Sequence, residues 1–191
     1  MDLIEKMEIY ASENYVPIAR RANIEYLQNL IKEENVCSIL ELGSAIGYSA
    51  ICMASVKKDV KITTIERNEK MYQEAIKNIK EANLESQIDI IFDDVFNVDL
   101  SDRKYDLIFI DAAKAQYTKF FEKFSPLLNN NGVIISDNIE LLDLQRLTDS
   151  KRSKRLVEKM GEYKQYLINL EDYKTEFLEI GDGFAITRKI N

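Results

Sequence analysis

The run Ile39-Leu-Glu-Leu-Gly-Ser-Ala-Ile-Gly-Tyr-Ser49 constrains this chain more than any other stretch. An apolar, β-branched segment delivers an acidic residue and a glycine turn straight into an amphipathic segment. Strand, tight turn and helix in that order make a loop suited to a nucleotide-type cofactor. Gly43 lets the backbone approach a ligand closely, and Gly47, Tyr48 and Ser49 open a helix whose N–H groups favour an anionic group. The spacing is G-x-x-x-G, which departs from the G-x-G-x-x-G of dinucleotide enzymes. The same residues also read as an ordinary strand-to-helix turn capped by Ser49.

A second acidic strand end extends the pattern. Lys61-Ile-Thr-Thr-Ile-Glu66 reads as a strand, and Glu66 follows Glu41 at the spacing of one βαβ unit, where such folds set a carboxylate against a ribose diol. The alternative for Glu66 is a favourable acidic residue ahead of a helix starting near Asn68. Helical periodicity over Ile18 to Lys32, Tyr48 to Val56, Glu69 to Ala82 and Lys114 to Leu128 alternates with strand-like runs. These are Val36 to Leu42, Val60 to Ile65, Ile88 to Phe92, Tyr105 to Ile110 and Gly132 to Ser136, the last after an Asn129-Asn-Asn-Gly132 turn. The tail reads as a charged helix from Lys151 to Ile168, then Tyr173 to Ile180 and Phe184 to Lys189 as a hairpin around Gly181-Asp-Gly183. The expected fold class is α/β, a Rossmann-like, doubly wound, mostly parallel sheet with a C-terminal antiparallel hairpin. At 191 residues, one domain spanning residues 1–191 is expected.

Composition removes whole classes of chemistry. With no histidine, the chain has neither a Ser-His-Asp nor a Cys-His nucleophile system, and no histidine-ligated zinc. A general base must come from Lys, Asp, Glu, Tyr or a metal-bound hydroxide. The net charge of −7 argues against a protein that coats nucleic acid non-specifically, while leaving room for a local basic patch. Cys37 and Cys52 form no C-x-x-C, so reduced thiols and a cytoplasmic location are expected. No signal peptide and no membrane span are expected either.

In a doubly wound sheet, ligands bind beyond the carboxyl ends of the strands. The residues there are Glu41 with Gly43, Glu66, Asp93 with Asp94, Asp111, and Asp137 with Asn138. Like charges converging on one sheet edge repel unless cations or donors absorb them. Asp111, Asp137 and Asn138 are hard oxygen ligands that suit octahedral Mg²⁺, although each segment alone also reads as a turn. Lys114, three residues after Asp111 at an expected helix start, opposes the macrodipole, which suggests a role beyond solubility. It could take a proton from a bound hydroxyl, or be a solvated surface lysine.

Glu-Leu-Gly-Ser-Ala-Ile-Gly-Tyr-Ser, Thr-Ile-Glu-Arg-Asn-Glu, Phe-Ile-Asp-Ala-Ala-Lys, Ser-Asp-Asn and Gly-Asp-Gly-Phe-Ala-Ile together resemble the metal-dependent class I O-methyltransferase family of catechol and caffeoyl-CoA type. Within it, the chain most resembles the bacterial branch that methylates 5-hydroxyuridine at the wobble position of tRNA. The resemblance runs from about Tyr10 to Lys189 and implies S-adenosylmethionine as donor and Mg²⁺ or Mn²⁺ as metal. It implies that Glu41, Gly43 and Ser49 face the donor's amino acid part, Glu66 its ribose, and Asp94 and Val95 its adenine. Ala19 falls in the segment covering the donor. Asp111, Asp137 and Asn138 match the metal ligands, with Asp111 also beside the donor, and Lys114 matches the base. Phe92-Asp-Asp94 departs from the usual Gly-Asp pair. A homodimer is implied as well.

Three functions are compatible with these residues: a tRNA methyltransferase, a small-molecule O-methyltransferase with the same metal site, and a donor-binding module without catalysis. The basic segment Lys151-Arg-Ser-Lys-Arg155, followed by Lys159 and Lys164, suits phosphates. With Glu158 and Glu162 as partners it also reads as a solvated helix face.

Overall fold

The computed structural model describes residues 2–140 and 151–190, which form two compact units, Met1–Leu100 and Ser101–Asn191. The first unit opens with α1 (Leu3–Glu13), a helix the periodicity did not suggest. Its signal is a capping box. The Glu5 amide donates to Asp2 Oδ1 at 2.8 Å and the Asp2 amide to Glu5 Oε2 at 3.3 Å, satisfying two N–H groups that the first turn would otherwise leave open. Helix α2 (Arg21–Glu33) starts later than the pattern from Ile18 suggested, because Arg20 is still extended behind Pro17. It buries Ile24, Leu27, Leu30 and Ile31, spaced as one helical face.

Strands β1 (Ser38–Leu42), β2 (Lys61–Glu66) and β3 (Ile88–Phe92) run parallel in the order β3-β2-β1, joined through α3 (Tyr48–Ala54) and α4 (Glu69–Glu81). The register pairs Glu41 with Thr64 and Glu66 with Phe92. The β1 core residues Ile39, Leu40 and Leu42 are fully buried, as the unbroken apolar run requires of a strand covered on both faces.

In the second unit, β4 (Tyr105–Ile110) pairs parallel with β5 (Leu128–Ser136), and β7 (Phe184–Lys189) pairs antiparallel with both β5 and β6 (Tyr173–Leu178). The order is β4-β5-β7-β6. Two expectations need correction here. The single helix expected over Lys114 to Leu128 is a 3₁₀ turn (Lys114–Gln116), then α5 (Tyr117–Phe124), then a second 3₁₀ turn (Ser125–Leu127). Pro126, which cannot continue an α-helical ladder, lies in that second turn. The Asn129-Asn-Asn-Gly132 segment is no turn ahead of a strand; it bulges within β5, which already begins at Leu128. The register steps from Tyr105 opposite Leu128 to Leu107 opposite Val133. Asn129 Nδ2 donates to Asp106 Oδ1 at 2.7 Å across the bulge, and a Cβ on Gly132 would come within 2.9 Å of the Asp106 carbonyl oxygen. Only glycine fits that approach.

Helix α6 (Lys151–Ile168) and the hairpin match expectation, with β6 ending at Leu178 rather than Ile180. Edge-to-face contacts of Tyr117 with Tyr163, and of Phe121 with Tyr166 and Tyr173, pack α5 against α6 and β6. Parallel strands alternating with helices and closed by an antiparallel hairpin are the α/β, Rossmann-like class expected from the sequence. Among the described residues, no helix is long and apolar enough to cross a membrane.

Candidate active site

In the first unit the glycine loop is held by the two carboxylates that flank it in sequence. Gly43 (φ 94°) and Gly47 (φ 82°) take left-handed conformations, and between them Ala45 does so as well at φ 43°. Such a conformation in a residue with a Cβ is strained and persists only when its surroundings fix it. They do so here. The Ala45 amide donates to Glu66 Oε2 at 2.9 Å, and the Asn68 amide to Glu66 Oε1 at 2.7 Å. The Gly43 amide donates to the Ile65 carbonyl at 3.1 Å, which ties the loop to the end of β2. Glu66 therefore shapes the turn, and its moderate exposure leaves the carboxylate accessible to a ligand.

Glu41 is fully buried. Its two oxygens accept hydrogen bonds from the Ser49 and Thr64 hydroxyls, at 2.5 Å each. Glu41 and Ser49 are thus brought together. Thr64, which completes the set, escaped the sequence reading although it is Glu41's register partner on β2. The Ser44 hydroxyl was missed too. It is buried inside the loop and finds no protein partner, so a polar group of a bound cofactor would satisfy it.

The residues expected on the adenine side behave differently. Asp94 Oδ2 lies 3.0 Å from an Arg67 guanidinium nitrogen, and Asp94 Oδ1 accepts the Phe96 amide at 2.9 Å. Val95 is buried in the same turn, and Ala19 is buried in the extended segment before α2. The Phe92-Asp-Asp94 sequence is accounted for by Asp93, whose Oδ1 accepts the Asp94 amide and the Asn97 side-chain amide at 2.7 and 3.0 Å. Asp93 supplies as a side chain the local turn that a glycine would allow through its backbone.

A further contact reaches this loop from α1. Glu8 Oε1 accepts from the Tyr48 hydroxyl at 2.7 Å and from Arg21 Nε at 2.7 Å, while Glu8 Oε2 pairs with Arg21 Nη2. The Arg21 hydrogen bond holds the Glu8 carboxyl below the ordinary glutamate value of 4.5, against an opposing effect of burial. A carboxylate with a lowered folded pKa contributes stability above its unfolded pKa and loses it as pH falls through the folded one. Thermal melts should therefore show the parent protein more stable than Glu8→Gln at neutral pH. The gap should close as pH drops below 4.5; a constant gap down to acid would reject the ion pair as its source.

In the second unit, the parallel register of Ile110 with Ser136 sets the ends of β4 and β5 side by side, bringing Asp111 next to Asp137 and Asn138. Asp137 is fully buried, and its Oδ1 accepts the Asn138 amide at 2.6 Å. This bond holds Asn138 in a left-handed conformation, φ 58°. Asn138 Nδ2 lies 3.4 Å from Asp111 Oδ1, and Lys114 Nζ lies 4.0 Å from the same oxygen. Burial pushes the Asp111 carboxyl up, and the Lys114 ammonium opposes that shift. Lys114 sits in the 3₁₀ turn rather than at the α-helix start, so the dipole argument for its role gives way to a direct one: it is the cation that faces Asp111.

Tyr117, which sequence alone did not single out, donates from its hydroxyl to the Asp137 carbonyl at 3.0 Å. Burial first, then the charges of Asp111 and Asp137, push its pKa well above the ordinary value and keep that donor protonated. Among the described residues, no group of three Asp, Glu, Cys or His side chains is placed to hold a metal. The set here is two carboxylates and one side-chain amide whose Nδ2 faces Asp111; with the amide turned to present its oxygen, these are hard donors of the kind a magnesium-like cation takes, with water completing its shell.

Residues 4–190 match the O-methyltransferase family. A candidate caffeoyl-CoA O-methyltransferase from Staphylococcus aureus, known from a crystal structure, is 40% identical. It superposes with a TM-score of 0.90 over 99% of this chain and 93% of its own. The flavonoid 3',5'-methyltransferase of Vitis vinifera is 27% identical over 179 residues, covering 86% of this chain and 75% of that protein. The O-methyltransferase TomG from Streptomyces achromogenes, solved in complex with SAM, shares the fold. It has a TM-score of 0.85 at 19% identity, covering all of this chain and 91% of that one. With the family match running from residue 4 to residue 190, this chain belongs to the O-methyltransferase family.

Proposed function

We propose that the chain transfers a methyl group from S-adenosylmethionine to the 5-hydroxyl of 5-hydroxyuridine in tRNA, giving 5-methoxyuridine, with a divalent cation at Asp111, Asp137 and Asn138. The observation that carries this reading is the Asp111–Asp137–Asn138 cluster with Lys114 beside it, on a chain that belongs to an O-methyltransferase family. When bound, the cation would supply the positive charge that favours an ionised acceptor hydroxyl, and the donor would supply an electrophilic methyl group.

The remaining work falls to the chain's own side chains. Lys114, 4.0 Å from Asp111, would receive the acceptor's proton once its own ammonium proton has passed to solvent, and Asp137 fixes Asn138 through its backbone amide. In the other unit, Glu66 shapes the donor loop through Ala45 while keeping oxygen lone pairs for a ribose diol. Glu41, Ser49 and Thr64 form a buried anchor under that loop.

The tRNA substrate is supported by the start of α6, where Lys151, Lys154 and Arg155 are exposed on an otherwise acidic protein. The Arg152 side chain lies outside the described residues. Further along, Lys159 pairs with Glu162 at 2.5 Å and Lys164 pairs with Glu140. A small-molecule acceptor is the second reading, favoured by the flavonoid and caffeoyl-CoA names of the relatives. Nucleoside analysis of tRNA from cells with and without the gene separates them. The tRNA reading expects 5-methoxyuridine to vanish and 5-hydroxyuridine to accumulate; an unchanged profile selects the small molecule.

Replacing Lys151, Arg152, Lys154 and Arg155 with Gln should weaken tRNA binding and flatten its log–log salt dependence, by roughly 0.7 to 0.9 for each phosphate that is no longer neutralised. Donor affinity should not move. Equal tRNA affinity at every salt concentration would show this helix to be a solvated face.

A further inference from the structure

Cys37 immediately precedes β1, at the end of the strand remote from the glycine loop, and it does not stand alone. Lys57 Nζ lies 3.4 Å from Cys37 Sγ. Asn35 and Asp59 bracket the pair. Asn35 Oδ1 accepts from Lys57 Nζ at 2.7 Å while its backbone carbonyl lies 3.4 Å from the sulfur, and Asp59 Oδ2 is 3.4 Å from the sulfur and 3.7 Å from Lys57 Nζ. The left-handed turn at Asn35, φ 52°, aims both of its oxygens at the two side chains.

The supporting backbone is fixed on both sides. The Lys61 amide donates to the Cys37 carbonyl at 2.7 Å, and Gln87 Nε2 lies within 3.1 Å of the carbonyls of Ala54, Lys57 and Val60. The loop that presents Lys57 is therefore preorganised against the sulfur. The lysine side chain is 23% exposed and Asp59 is 64% exposed, so a small oxidant in solvent reaches the group. Cys52, by contrast, is buried, and burial pushes its thiol up to about 12, which keeps it inert.

We propose that Cys37 and Lys57 form a peroxide-driven covalent cross-link, a sulfenamide, that ties the start of β1 to the loop between α3 and β2. Sulfur attacks hydrogen peroxide; an S–O bond forms, the O–O bond breaks, and the departing hydroxide takes the thiol proton as water. Lys57, having given its ammonium proton to solvent, then attacks sulfur through Nζ. The S–N bond forms, the S–O bond breaks, and the leaving hydroxide takes a proton from nitrogen as a second water. Sulfur loses two electrons and one peroxide is reduced to two waters. A thiol reductant reverses the bond by attacking the same sulfur.

The test is peptide mapping by mass spectrometry of the full-length Cys52→Ala protein, in which a Cys37–Cys52 disulfide is impossible, before and after exposure to hydrogen peroxide. The expected product is lighter by two hydrogens. Digestion with a glutamate-specific protease, which cuts after Glu41 between the two residues, leaves the peptides carrying Cys37 and Lys57 joined, and dithiothreitol separates them. Lys57→Arg, which keeps the charge without the reactive amine, should give no joined peptide and should carry Cys37 on to sulfinic acid instead. Sulfinic or sulfonic acid at Cys37 with no joined peptide in the Lys57-containing protein overturns the proposal. So does the same loss of two hydrogens in Lys57→Arg. Because the Lys57-containing map is decisive by itself, the outcome does not depend on how well the variant folds.

Discussion

Asp137→Ala should reduce methyl transfer by at least about 100-fold, equivalent to about 2.7 kcal/mol of transition-state stabilisation. Three effects combine at this one carboxylate. It is fully buried, it would supply one of the hard oxygens for the cation, and its Oδ1 fixes the Asn138 amide at 2.6 Å. Without that bond, Asn138 has less reason to hold its left-handed conformation, and its side chain, now 3.4 Å from Asp111, loses its place in the set. The fold should survive, because the substitution also removes a buried charge next to another carboxylate. Methyl incorporation from labelled donor is the readout, with circular dichroism as the control for folding. Excess EDTA should reproduce the loss in the parent protein, and added Mg²⁺ or Mn²⁺ should reverse it. Full turnover in EDTA would reject the metal assignment.

Glu66→Ala should weaken binding of S-adenosylmethionine by about 1.5–3 kcal/mol, roughly 10- to 150-fold in Kd. The cost has two parts. The ribose diol would lose a charge-assisted acceptor, and the amides of Ala45 and Asn68 would lose theirs. Ala45 is held at φ 43° by that bond, so the loop between Gly43 and Gly47 would relax before any ligand arrives, and binding would have to restore it. Glu66→Gln separates the two parts, since its carbonyl oxygen still accepts one amide while the charge is gone. Calorimetric titration should place it between the parent and Glu66→Ala. Unchanged affinity in Glu66→Ala would remove this carboxylate from the donor site.

Every described strand was legible in the sequence, because apolar runs bounded by glycine, asparagine and charged residues allow few other local conformations. Strands β3, β4 and β7 and helix α6 fell on the expected residues, and the acidic residues at the strand ends could be collected by topology alone. Helix α1 was missed although its Asp2–Glu5 capping box is a local signal, because its apolar periodicity is weak. The break-up of the segment after Lys114 and the bulge at Gly132 are tertiary matters. Periodicity reports which face is buried, whereas the length of a helical turn and the register across Asp106 depend on what the neighbouring strand offers.

The same division holds for the candidate residues of each unit. Sequence determined which residue types stand at each strand end, since a parallel sheet places strand-terminal side chains at one edge whatever their identity. Only the tertiary structure decided their tasks. Glu41 is buried as an anchor for Ser49 and Thr64, while Glu66 shapes the turn through Ala45 and stays accessible. Asp94 is engaged by Arg67, and Asp137 acts on Asn138 through the backbone. Two carboxylates identical in sequence become different chemical objects through burial and hydrogen-bond partners, and both are set by residues distant in the chain.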